Sequence, residues 1–79
     1  MNQTTVSIAS EYITLQQLLK LVGICGTGGA AKMFLQSNFV KINGEPENRR
    51  GRKIYPGDLM EWDQYTIYIN LNTGGNLDL

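Results

Sequence analysis

The sequence predicts an α+β domain in which two packed N-terminal helices lie against a small, mainly antiparallel sheet. Apolar residues recur at helical spacing over residues 13–22 and again over 28–37, which predicts the two helices. After residue 39 the apolar period changes to two and an Asn-Gly pair follows, which predicts the sheet. A chain of 79 residues has room for one hydrophobic core.

A short strand and the first helix come first along the chain. Val6 and Ile8 alternate with polar residues, which is typical of a strand, and we expect this strand to join the last one. Thr14 is the predicted N-cap of the helix, with Gln17 at capping-box spacing. Gly23 suits the left-handed residue that ends a helix. The predicted inward face comprises Leu15, Leu18, Leu19 and Val22.

The second helix is predicted over residues 28–37, after a glycine-rich connection. Asn38 is expected to end it in a left-handed conformation. The small residues at its start allow a close approach to the first helix or to a ligand. The predicted inward residues are Ala31, Phe34 and Leu35, and the predicted outward residues are Gly29, Lys32, Met33 and Gln36.

The remainder of the chain predicts the sheet. Val40 and Ile42 share a face, and Asn43-Gly44 predicts a tight hairpin. Residues 45–53 are polar and basic, so we expect a loop or irregular edge there and no regular strand. The later elements are a type II turn at 56–58 and strands at 59–62 and 65–71.

Some aromatic side chains are assigned to the core and one to the surface. Phe34, Phe39 and Trp62 are expected in the core. Tyr55, together with Met33, is a better candidate for an exposed contact with a ligand.

The composition argues against several classes of function. His is absent, which removes the commonest general base and the commonest metal ligand. Cys25 is the single cysteine, so neither an internal disulfide nor a thiolate metal site is possible within the chain. We therefore expect no cofactor, no metal and no enzymatic activity, because nothing in the sequence places two carboxylates around a pocket. A free thiol and the lack of a signal peptide or membrane span predict a cytoplasmic protein without membrane contact.

The charges are unevenly distributed although the formal net charge is zero. Residues 20–53 contain all seven Lys and Arg residues and only two acids. Residues 54–79 contain four acids and no base. This segregation predicts that one face is basic despite the neutral total.

A basic segment follows the predicted hairpin. Arginine offers planar, forked donors that match phosphate oxygens, so the segment indicates phosphate binding. The alternative is a solvated loop that protects an edge strand from aggregation. The segment consists of Asn48, Arg49, Arg50, Gly51, Arg52 and Lys53.

The start of the second helix is another candidate for binding an anion. Backbone N–H groups at Gly28 and Gly29 carry partial positive charge, and Lys32 lies one turn further on. The same glycines also suit a tight corner between helices, and both interpretations stay open. Lys20 and Lys41 are isolated bases that matter only if the fold brings them beside these two elements.

The motifs together resemble a known family. The hairpin Val40-Lys41-Ile42-Asn43-Gly44 and the Gly57-Asp58 pair before a strand are similar to the signature of the alpha-L RNA-binding motif, the "S-four" domain. The similarity covers residues 13–62. The glycine-rich helix start and the basic segment resemble the small stand-alone bacterial members, the YaaA-like proteins. Many members carry arginines at the starts of both helices, whereas this chain has Ile13-Thr14-Leu15 and Gly28-Gly29 there.

The resemblance implies a non-catalytic module that binds structured RNA, with ribosomal RNA as one candidate. It further implies one RNA-facing surface, formed by Lys20, Gly28, Gly29, Lys32, Lys41, Asn48, Arg49, Arg50, Arg52 and Lys53. We expect a monomeric RNA-binding domain over residues 1–71 and a flexible tail over 72–79. Two alternatives stay open: a module that docks on a ribosomal or replication-associated protein, and a module that binds DNA.

Overall fold

The computed structural model describes residues 2–72, which form two helices and two sheets. The helices are α1 (Leu15–Leu21) and α2 (Gly28–Ser37). Five strands form the larger sheet: β1 (Asn2–Ile8), β3 (Val40–Ile42), β4 (Glu45–Glu47), β6 (Leu59–Trp62) and β7 (Tyr65–Leu71). Their spatial order is β1-β7-β6-β3-β4. The short strands β2 (Ile13–Thr14) and β5 (Lys53–Ile54) pair with each other.

The α+β class and the mainly antiparallel sheet are confirmed, but the N-terminal position of the helices is corrected. Two strands, β1 and β2, precede α1. β1 joins the last strand as expected and runs parallel to it, with Val6 opposite Ile69. The other strand pairs in the described residues are antiparallel. Strand β2 is not predicted from the sequence because it has only two residues, Ile13 and Thr14, and these directly precede α1.

The start of α1 follows the predicted capping chemistry. The Thr14 hydroxyl accepts from the Gln17 N–H at 3.2 Å, and the Gln17 Oε1 accepts from the Thr14 N–H at 2.9 Å. These reciprocal bonds satisfy two backbone donors and set the first helical residue at Leu15. Gly23 has φ +82°, the left-handed conformation expected after the helix.

The helix α2 has the predicted bounds, but its end differs from the prediction. Thr27 caps the start, with its hydroxyl accepting from the Ala30 N–H at 3.0 Å. The left-handed conformation expected at Asn38 is wrong, because φ is −137° there. The Asn38 side chain instead donates Nδ2–H to the Phe34 carbonyl at 2.9 Å, which satisfies one of the last free carbonyls of the helix.

The hairpin forms as predicted, but the loop expected at 45–53 is partly a strand. Asn43 and Gly44 both have positive φ, +54° and +86°, as a type I′ turn requires. The chain then returns as β4, with Ile42 opposite Glu45. β4 lies at the edge of the sheet, where only one side pairs, so Pro46 and the flanking acids are tolerated.

The core joins α1 and α2 to the sheet. The leucines of α1 that were predicted to face inward, Leu15, Leu18 and Leu19, are fully buried. Phe34 and Trp62 pack against the core and also contact each other edge to face, with ring centroids 4.9 Å apart. The assignment of Phe39 to the core is wrong, because 63% of this residue is exposed. Phe39 directly precedes β3 and alternates with the buried Val40.

The predicted tail at 72–79 lies outside the described residues, except for Asn72, whose N–H donates to the Ile8 carbonyl at 2.7 Å. Across residues 2–72, no helix has the length and apolar character that a membrane crossing requires.

Candidate nucleic-acid interface

A basic groove of about 730 Å³ lies between the start of α1, the outward face of α2 and the basic segment. It brings Lys32 of α2 together with Arg49 and Arg50, although Lys32 is far from the two arginines in sequence. The residues that line it are Thr14, Gln16, Gln17, Lys32, Leu35, Gln36, Asn48, Arg49, Arg50 and Gly51.

The start of α1 holds the basic segment in place. The Leu15 N–H donates to the Arg52 carbonyl at 2.9 Å, and the Gln16 N–H donates to the Arg50 carbonyl at 3.0 Å. Thr14 pairs with Lys53 in the ladder of β2 and β5. The first N–H groups of a helix lack partners within the helix, and here the basic segment supplies carbonyls for them. The backbone of the segment is therefore fixed against α1.

The buried carboxylate of Glu47 fixes the positions of Arg49 and Arg52 by accepting their hydrogen bonds. Glu47 is only 7% exposed. Its Oε2 accepts from the N–H groups of Asn48 and Arg49, at 3.2 and 3.1 Å, and from Arg49 Nε at 2.9 Å. Its Oε1 accepts from Arg49 Nη2 at 3.0 Å and from Arg52 Nη1 at 2.7 Å. Five donors therefore converge on one side chain.

These hydrogen bonds change the acidity of Glu47. The bonds from the Arg49 side chain, followed by those from Arg52 and the Arg49 backbone, lower the pKa of Glu47 to about 2, although burial acts in the opposite direction. At neutral pH this carboxylate is ionised and its lone pairs are used. It is therefore a poor general base, and its hydrogen bonds orient Arg49 and Arg52.

Glu47 is not predicted as a site residue from the sequence, where it counts only as one of the two acids within residues 20–53. Two signals indicate its role. Glu47 is opposite Val40, a buried core residue, so strand alternation places it inward once β4 is accepted as a strand. Arg49 and Arg52 follow it closely, which keeps both within reach of one carboxylate.

The cations that line the basic groove, together with the neighbouring Arg52, which does not line it, fall into two groups. Arg49 and Arg52 share the charge of Glu47, although the Arg49 side chain remains 73% exposed. Arg50 and Lys32 are exposed and form no ion pair with any residue in the described part of the chain. These two side chains are available to an external anion.

The remaining predicted site residues lie at different places. A Cβ at Gly28 would lie 2.8 Å from Gln16 Nε2, the mobile end of a side chain of α1, so Gly28 lies beside α1 next to the groove. Gly29 is exposed on the first turn of α2, and Lys20 is exposed on the last turn of α1. Neither of these two lines the basic groove.

Lys41 belongs to a separate feature, which we call the Lys41 hollow. It has a volume of about 250 Å³ and is lined by Phe39, Lys41, Glu61, Trp62 and Asp63. In the ladder between β3 and β6, Lys41 lies opposite Glu61. The structure therefore does not bring Lys41 into the basic groove.

A third feature, the tyrosine hollow, adjoins the basic groove. It has a volume of about 580 Å³ and is lined by Arg49, Gly51, Arg52, Lys53 and Tyr55. Arg49 and Gly51 line both features.

No group of three His, Cys, Asp or Glu side chains in residues 2–72 is arranged to hold a metal ion. The basic groove offers guanidinium, ammonium and amide donors, and the carboxylate beneath it is already saturated. Such a set of groups suits binding of a polyanion.

Comparisons with known proteins agree with the resemblance predicted from the motifs. The model of the S4 domain family matches residues 6–70. A curated protein of Bacillus subtilis (strain 168), named "Probable ribosome maturation protein RlbA", is 54% identical over 67 residues. The alignment covers 85% of this chain and 94% of that protein. Both α1 and α2 and the basic segment lie within the residues that the family model matches.

Proposed function

The chain belongs to the S4 domain family, and on that premise we propose that it is a non-catalytic module that grips the phosphate backbone of a structured RNA in the basic groove. One observation carries the proposal. Lys32 and Arg50 approach the same groove from different elements, and neither has an ion-pair partner among residues 2–72.

The form of the groove supports RNA as the ligand. RNA helices are recognised mainly by shape, by phosphates and by 2′-hydroxyls, so a concave basic surface needs few contacts to bases. Arg50 supplies forked donors and Lys32 a compact charge, while Gln16 and Asn48 supply neutral donors and acceptors for hydroxyls. Arg49 adds a guanidinium whose position is set by Glu47.

The name of the Bacillus relative suggests where such binding occurs. That protein is described as a probable ribosome maturation protein. We infer that this chain binds ribosomal RNA or its precursors during ribosome assembly, acting as a monomer. Lys20, Gly28, Gly29 and Lys41 stay predictions as contact residues.

Salt dependence provides the direct test. Lys32, Arg50 and the net positive charge of the Glu47–Arg49–Arg52 group allow about three phosphate contacts, so log affinity for ribosomal RNA is expected to fall against log salt with a slope of about −2 to −3. The measurement is fluorescence anisotropy with labelled ribosomal RNA fragments at several salt concentrations. A flat salt response contradicts binding led by phosphate.

Two further measurements separate the alternatives. Competition between matched RNA and DNA helices decides whether the ligand is RNA, since only RNA offers 2′-hydroxyls. Purification from nuclease-treated extract tests for a protein partner. A complex that survives nuclease and is insensitive to salt would favour docking on a ribosomal or replication-associated protein over RNA binding.

A further inference from the structure

The tyrosine hollow continues the basic groove at the boundary formed by Arg49 and Gly51. Gly51 presents no side chain there, and open space surrounds the position that a Cβ would take. The volume of the hollow, about 580 Å³, is in the range of small-molecule sites. A ligand that runs along the groove therefore meets a second concave surface beside it.

The aromatic wall of this hollow is held in place by its surroundings. The Tyr55 N–H donates to Asp58 Oδ2 at 2.8 Å, and the Asp58 N–H donates to the Tyr55 carbonyl at 2.9 Å. The ring of Tyr55 lies 5.8 Å from the ring of Tyr12 at an angle of 50°. Despite these restraints Tyr55 remains 42% exposed.

Lys53 distinguishes the two tyrosines. Its ammonium group lies 5.0 Å from the centroid of the Tyr12 ring, so one face of that ring already makes a cation–π contact. Within residues 2–72, Tyr55 has no such cation over it. Tyr55 is therefore the ring of the pair that is available to a ligand, and it lies beside Arg52 and Lys53.

We propose that the tyrosine hollow binds an unpaired RNA base by stacking on Tyr55, while the basic groove holds the phosphates next to that base; this rests on the function proposed above. Bases of a continuous duplex are stacked inside the helix, whereas bases of bulges and loops can turn out and stack on aromatic rings. The preferred RNA is thus a helix interrupted by an unpaired nucleotide.

The test uses two labelled RNA hairpins with the same stem, one uninterrupted and one with a single unpaired 2-aminopurine. The protein is expected to bind the bulged hairpin more tightly and to change 2-aminopurine fluorescence. Tyr55→Ala is expected to weaken binding to the bulged hairpin by about tenfold, the scale of one base stacked on an aromatic ring. Binding to the uninterrupted hairpin is expected to stay within about twofold of the unsubstituted protein, because the phosphate contacts remain.

The chain offers matched controls. Tyr68 on β7 is 43% exposed, almost the same as Tyr55, but lies outside the tyrosine hollow. Tyr68→Ala should therefore leave both affinities unchanged. Tyr55→Phe keeps an aromatic face and should retain preference for the bulged hairpin, whereas Tyr55→Leu keeps apolar bulk and should lose it. Circular dichroism confirms that each variant is folded.

The outcomes separate the two proposals. Equal affinity of the unsubstituted protein for both hairpins, or an equal loss for both with Tyr55→Ala, overturns the assignment of a base to the hollow and leaves the groove standing. Full preference in Tyr55→Leu also overturns it. Failure of the protein to bind either hairpin or ribosomal RNA rejects the proposed function itself.

Discussion

The basic groove and the Lys41 hollow each place cations beside carboxylates, but the carboxylates lie at different depths. Beside the basic groove, Glu47 is buried, and its oxygens accept hydrogen bonds from the N–H groups of Arg49 and Arg52. In the Lys41 hollow, Glu61 and Asp63 line the wall together with Lys41. Asp63 is exposed and Glu61 is half-buried.

The depth of a carboxylate, as well as the number of cations, decides what a surface presents to a polyanion. A buried carboxylate directs arginines without facing the ligand. A carboxylate on the wall faces the ligand and repels phosphate. Arg49 keeps an exposed guanidinium in spite of its ion pair, whereas Lys41 shares its hollow with two acids.

The largest effect is expected from charge reversal in the basic groove. The double variant Lys32→Glu with Arg50→Glu should weaken RNA binding by more than about a hundredfold, because two attractive contacts become repulsive. Both side chains are exposed, so the fold should be unchanged. Anisotropy titration measures the affinity. Lys41→Glu in the Lys41 hollow is expected to cause a much smaller loss, because Glu61 and Asp63 already offset the charge of Lys41 there. A loss from that single change as large as the loss from the double variant would contradict the difference between the two features.

The next effect concerns stability at low pH. Glu47 has a pKa of about 2 in the folded protein against an ordinary value near 4.5. A lowered pKa contributes stability that is present above pH 4.5 and is lost as pH falls towards 2, by about 2–3 kcal/mol for this group. Denaturant unfolding at a series of pH values measures the loss. Subtracting the same series for Glu47→Gln isolates Glu47 from other carboxylates, and identical pH profiles would contradict the assignment.

A smaller and less intuitive effect is expected on RNA binding. Glu47→Gln removes a negative charge from beneath the basic groove, which by charge alone should strengthen binding. We expect the opposite, a loss of about tenfold, because Arg49 and Arg52 lose the negative charge and one of the two acceptor oxygens that fix them, and binding must then order them. The test compares affinities at neutral pH for folded proteins. Tighter binding by the variant would mean that charge outweighs orientation.

The smallest effect is expected from removing the acids of the Lys41 hollow. Glu61→Gln with Asp63→Asn should strengthen RNA binding by about two- to threefold at low salt, because repulsion from two wall charges disappears. Asn suits position 63 because φ is +52° there, a conformation that Asn tolerates. Titration at low and high salt measures the gain, which should vanish at high salt. A gain that persists at high salt would show that the effect is not electrostatic.

Much of the local structure was predictable because its causes lie within a few residues. The helical spacing of Ala31, Phe34 and Leu35 indicates helix α2. The bonds between Thr14 and Gln17 form as their spacing indicates. The Asn43-Gly44 turn forms for the same reason, since both residues accept positive φ. The exposure of Tyr55 was also expected, and it is confirmed.

The candidate site was only partly predictable, because it depends on which distant segments meet. A polar sequence at 45–47 becomes strand β4 only through pairing with β3, and that pairing buries Glu47 under the arginines. The separation of Lys41 from Lys32 depends on how α2 and β3 lie in the fold. No spacing within the chain contains that information.

The sequence by itself determined the α+β class, the Thr14 cap of α1, the Asn43-Gly44 turn and the clustering of bases between residues 20 and 53. Only the tertiary structure decided that Lys32 and Arg50 face one groove, that Phe39 is exposed and that Glu47 orients Arg49 and Arg52. These features differ in how far apart along the chain the interacting residues lie. Caps and turns depend on bonds between near neighbours, whereas burial and convergence of charge depend on the packing of elements that are remote in the chain.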